Sequence, residues 1–180
     1  MSQSSRFVLV GALLASAIAF SSVGVAQTNS LLKFQGQILA TNGDPVPGLT
    51  GGETFGGTST FDLPVVDDLG GALFRGRLVG TSATPQTDRA YFYGTSKADL
   101  QMLLRSGDPE PSGTLPGVTL NTATGTGLNG SPRLSANGLM AFAASLSGPG
   151  ITSGTNSTAI FAGSPGNFQL VVQQGTLAAG

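Results

Sequence analysis

Apolar and polar positions alternate with a period of two along four stretches of this chain. In Ala72–Val79, Phe74, Gly76 and Leu78 fall on one face, and Arg75 and Arg77 on the other. In Met140–Ser147, Met140, Phe142, Ala144 and Leu146 oppose Ala143, Ser145 and Ser147. Leu100, Met102 and Leu104 alternate with Gln101, Leu103 and Arg105; Phe168, Leu170 and Val172 repeat that pattern. This periodicity predicts strands with one well-buried face. Val118–Gly125, rich in β-branched residues, predicts a further strand. Thr95–Leu103 has a helical look, with Ser96 as N-cap, but its downstream counterpart "GSPGNFQLV" cannot form a helix. A turn leading into a strand is expected at both places.

The stretches recur in order. Gly70 and Gly138, Phe74 and Phe142, and Leu78 and Leu146 are each 68 residues apart. "AYFYG" precedes "AIFAG" by 69, and "LQMLLRSG" precedes "FQLVVQQG" by 68. A shorter third copy, "GQILATNGDPVPG", precedes "LQMLLRSGDPEPSG" by 64. The expected organisation is a tail of one unit over 27–48, a second unit over 49–113 and a third over 114–180. The expected fold is all-β: tandem antiparallel units resembling β-propeller blades, about two and a half of them, stacked because one unit cannot bury its apolar face alone. A propeller needs about four blades to close. Open edge strands would then favour self-association, or pairing with other surface proteins.

Before these units stands "MSQSSRFVLVGALLASAIAFSSVGVAQ": a polar start with Arg6, an apolar run from Phe7 to Phe20, then small residues. This predicts a signal helix over 1–26, cleaved after Ala26, and hence export to the periplasm, cell surface or medium. The apolar run is shorter than the roughly 20 residues of a membrane span, and none is expected in the mature chain.

Composition narrows the chemistry. Charged residues are 9% of the chain and the net charge is −1, which leaves no basic footprint for nucleic acid. After Arg133 there is no ionisable side chain. Neither Cys nor His occurs, which removes thiolate and imidazole ligands, disulfides and every Ser-His or Cys-His nucleophile.

The segments "DDLGGALFRGRLVG" and "SANGLMAFAASLSG" resemble the Asn-x-x-Gly-x-x-Ala-Phe repeat of the bacterial choice-of-anchor tandem repeat exported proteins. "AYFYG" and "AIFAG", followed by "LLRSGDPEPSG" and "VVQQG", match the continuation of that unit over about Gly36 to Gly180. Asp67 and Ser135 stand where the repeat has Asn, and Leu73 where it has Ala. The resemblance implies an exported β-repeat fold and no particular chemistry. Members commonly carry more units and a C-terminal anchor, so a shortened or truncated member is expected.

The candidate chemistry is thin. Asp62, Asp67 and Asp68 lie within seven residues and could offer hard oxygens to Ca²⁺, but lack the spacing of a calcium loop. Gly107-Asp108-Pro109, with Glu110, reads as a turn that ends one unit: glycine for positive φ, aspartate bonding its own backbone, proline fixing φ. The same turn occurs at Gly43-Asp44-Pro45, whereas Gly175 is followed by no Asp-Pro. Arg75 and Arg77, with Arg89 and Arg105, read as a solvated strand face, and as a patch for acidic polysaccharide only secondarily. Tyr91 and Tyr93 read as packing between units. No catalytic set, cofactor or metal is expected. The marks of the unit are Gly70, Phe74, Gly107, Asp108, Pro109, Gly138, Phe142 and Gly175. The expected function is that of a non-enzymatic structural or interaction module, with a carbohydrate- or Ca²⁺-binding module as the alternative and a glycan-acting enzyme as a distant one.

Overall fold

A computed structural model describes residues 36–121, 127–128 and 130–176. The expected signal helix and the end of the expected Val118–Gly125 strand, beyond Asn121, lie outside the described residues. Those residues form ten strands and no helix, so the fold is all-β. Accordingly, no helix among them is long and apolar enough to cross a membrane.

The first sheet contains β1 (Thr54–Phe55), β2 (Phe61–Val66), β3 (Ala72–Val79), β4 (Arg89–Gly94) and β5 (Gln101–Arg105). The second contains β6 (Thr119–Leu120), β7 (Arg133–Leu134), β8 (Met140–Ser147), β9 (Thr158–Ser164) and β10 (Asn167–Gln173). Both are antiparallel and share one plan. The long strand, β3 or β8, pairs on one side with two short segments end to end, and on the other with a meander of two strands. β1–β5 fall within 49–113, and β6–β10 within 114–180.

The sheets stack face to face. One apolar cluster lies between them, joining Leu73, Tyr91 and Leu104 of the first to Met140, Phe142, Leu146 and Phe161 of the second. A second cluster covers the opposite face of the first sheet. There Phe55, Phe74, Leu78, Phe92 and Leu100 pack under Ala40 and Val46 of the chain before β1. Each such aromatic or aliphatic side chain, fully buried, contributes about 1.5–3 kcal/mol. Rings chain through both clusters: Phe74 stacks on Phe92 at 5.5 Å, and Phe142 on Phe161 at 5.6 Å.

The alternation expected for the last strand of each sheet is interrupted. Met102 pairs with Phe92 and Leu104 with Tyr91, so Leu103 is an extra residue in a bulge. Leu170 pairs with Phe161 and Val172 with Ile160, so Val171 is its counterpart. A bulge sets two residues against one and resets which face follows. Leu100 and Met102 therefore face the Phe92 side, whereas Leu104 faces the second sheet. Phe168 and Leu170 pack on the inter-sheet core, while Val172 lies exposed. The reading of Leu100, Met102 and Leu104, or Phe168, Leu170 and Val172, as one face is corrected accordingly.

Candidate functional site

The three neighbouring aspartates do not converge. Asp62 is on β2 and takes a forked contact from Arg75, with Nε to Oδ1 at 2.8 Å and Nη2 to Oδ2 at 2.7 Å. Asp67 directly follows β2 and is buried. Its Oδ1 accepts the backbone N–H groups of Leu69 (3.0 Å) and Gly71 (2.7 Å), and its Oδ2 accepts the Tyr93 hydroxyl at 2.7 Å. Asp68 lies exposed on the turn. Among the described residues, no group of three acids is placed to hold a metal ion. Asp67 is instead the keystone of a turn, the role its side-chain chemistry favours there. Gly70 follows at φ 84° and Gly138 stands at φ 80° in the matching turn before β8. There Ser135 Oγ accepts the Leu139 N–H at 2.9 Å.

The Gly-Asp-Pro segments are also turns. Gly107 N–H donates to Leu120 (2.9 Å), Leu120 N–H to the Asp108 carbonyl (2.8 Å) and Glu110 N–H to Val118 (3.0 Å). Gly43, Phe55 and Val46 make the same three bonds to Phe55, Asp44 and Glu53. Asp108 Oδ2 accepts Arg105 N–H at 2.6 Å, as Asp44 Oδ2 accepts Thr41 N–H at 2.7 Å. Pro109 and Pro45 each bridge to the strand that follows, at Thr119 and Thr54. Gly43, Gly107 and Gly175 all have φ between 82° and 94°, where a Cβ would be strained.

Like turns carry unlike electrostatics. Burial pushes the Asp108 carboxyl up, against the pull of the Arg105 N–H. Burial acts the same way on Asp44, but Lys97, with Nζ at 2.8 Å, and Thr41 outweigh it and bring that carboxyl down. Glu110 is buried and is nevertheless held down by donors from Ser112 and Leu115. Bonds from Thr95 and Ser96 hold Asp99 well below the usual range.

The arginine face is not a solvated one. Leu73 and Tyr91 are buried on it, and the second sheet covers it. Arg75 Nη1 crosses to the Leu128 carbonyl at 2.9 Å, and Asp62 raises its already high pKa. Arg77 pairs with Asp88 at 2.6 Å, and Arg89 lies 3.6 Å from Asp62 and 3.8 Å from Asp88. Arg105 ties down the loop before β4 through the carbonyls of Thr87 (2.6 Å) and Ser82 (2.7 Å). These cations hold the scaffold. Tyr91 and Tyr93 lie on the same face, with the ring of Tyr91 edge-on to Phe142 at 5.7 Å. Burial pushes both phenols up to about 12.

Sequence reasoning gave no structural role to Glu53, Asp88, Lys97 or Asp99, each of which anchors a loop or strand end. Only the short spacing of Asp99 after Thr95 and Ser96 was a usable local signal. An apolar groove lies on the other face of the first sheet. It is lined by Leu39, Ala40, Phe61, Pro64, Ala72 and Phe74, together with Gln37 and Asp62.

Fold and site together define an all-β protein in which the described carboxylates, Asp68 apart, and Arg75, Arg77, Arg89 and Arg105 engage the chain's own turns and strands. The chain belongs to a family of unknown function (DUF7453), whose profile matches residues 6–180. No curated protein and no solved structure matches it.

Proposed function

We propose that the chain is an exported, non-enzymatic tandem-repeat β protein that serves as a structural or interaction module at the cell surface or in the periplasm, of the kind the choice-of-anchor repeat resemblance implies. The observation that carries this reading is the use of the carboxylates. The chain has nine, and all but Asp68 bond to backbone, hydroxyl or cationic groups of the chain itself. Acids so engaged are poor general acids or bases, which must stay within reach of a substrate proton. The matching bonds of the Gly43 and Gly107 turns, and the shared plan of the two sheets, support the tandem-repeat reading.

The alternative, a carbohydrate-binding module of the same fold, draws on the groove beside Phe61 and Phe74, since aromatic rings stack on sugar faces. The test is glycan-array binding of the folded chain with and without Ca²⁺, beside a glycoside-hydrolase screen. No binding and no turnover is the expected result. Sugar binding lost in Phe74→Ala would favour the module, and turnover lost with one carboxylate would overturn both. Cell fractionation with N-terminal sequencing tests export; a mature chain beginning at Gln27 is expected.

A further inference from the structure

We propose that the outward face of the second sheet is a dimerisation surface, on which a second copy of this chain packs its own matching face about a two-fold axis. Ile160 and Val172 are cross-strand partners there, with Ala143 opposite Ile160 on β8. The corresponding places in the first sheet hold Tyr91, Leu104 and Arg75. In the first sheet this row is the interface: Tyr91 is 1% and Leu104 7% exposed, beneath the second sheet. In the second sheet Ile160 is 42% and Val172 43% exposed. Among the described residues, the fold thus leaves uncovered in one sheet the face it buries in the other.

The chemistry of that face suits a copy of itself. Ala141, Ala143 and Ala162 are small and let two sheets approach closely, and aligned face-to-face packing is a standard arrangement. Among the described residues, the one ionisable group beside them is Arg133, exposed on the short edge strand β7. No charge therefore has to be desolvated at the centre, and none repels its symmetry mate there.

A head-to-tail stack would instead seat this row on the Phe74 face of another copy. By the spacing of the copies, the place Val172 would take there is that of Ala40, which is buried against that sheet. A two-fold pairing avoids that clash and closes at two chains. It uses a face, where the strand edges would give open-ended pairing.

Sedimentation velocity of the full chain over the micromolar range tests the proposal. A reversible dimer is expected, weakened by about tenfold or more in Ile160→Lys/Val172→Lys with far-UV circular dichroism unchanged. A wild-type monomer, species growing beyond the dimer, or a dimer that persists in the folded double variant would overturn it. The chain has no cysteine, so oxidised Ala143→Cys should yield a cross-linked dimer well above an exposed Leu69→Cys control. This decides the matter if the lysine variant fails to fold; equal yields would overturn the proposal.

Discussion

The ring of Tyr91 stands edge-on to that of Phe142, centroids 5.7 Å apart, and joins the two sheets. Its hydroxyl donates to the Gly130 carbonyl at 3.0 Å, so the buried phenol is satisfied. Tyr91→Ala should cost about 3–5 kcal/mol, the range for deleting a buried aromatic. Tyr91→Phe should cost about 1 kcal/mol, one hydrogen bond. Urea denaturation measures both. A cost for the alanine variant as small as that for phenylalanine would mean the sheets do not share this core.

Tyr91 and Tyr93 should make the fold alkali-labile. Both phenols titrate in the fold at about 12, against 10.0 ordinarily. A folded pKa above the unfolded one means stability that is full below pH 10 and lost as pH rises toward 12. These are the only tyrosines and there is no tryptophan, so phenolate absorbance reports on them alone. Absorbance should rise together with loss of β-sheet circular dichroism. A titration near 10 in a still-folded chain would contradict the burial of these rings.

Asp67 and Tyr93 should behave as a coupled pair. Asp67→Ala strands the N–H of Gly71 and the Tyr93 hydroxyl, and a cost of about 1–3 kcal/mol is expected. Tyr93→Phe alone should cost about 1 kcal/mol. The double variant should lose less than the sum, by at least about 0.5 kcal/mol. Strict additivity in the double-mutant cycle would show that the 2.7 Å bond carries no stability.

Removing Val171 should be tolerated. Leu170 and Val172 already oppose the adjacent residues Phe161 and Ile160, so the deletion turns a bulge into a regular ladder with every face preserved. A loss below about 2 kcal/mol is expected. Deleting Ile160 from the unbulged β9 should abolish folding, because it sends half the strand's side chains to the wrong face. Thermal melts of the two deletions should differ sharply; similar melts would refute the register.

Strand positions and the turns between them were legible along the chain because their causes are local. Alternation of Phe74 with Arg75 and Arg77, and glycine before Asp-Pro, act over a few residues. The roles of Asp62, Arg75 and Asp88 were not legible, since their partners lie 11 to 53 residues away.

The sequence by itself determined that this is a β protein of alternating strands, with glycine turns at fixed places. Tertiary structure alone decided which face each strand presents after the bulges at Leu103 and Val171, and that the arginine face lies between sheets. A bulge exists only in the pairing of two strands and leaves no mark on the period of one. "LQMLLRSGDPEPSG" shows both halves: its turn could be read from neighbours, whereas the side taken by Leu104 was set by Tyr91 across the ladder.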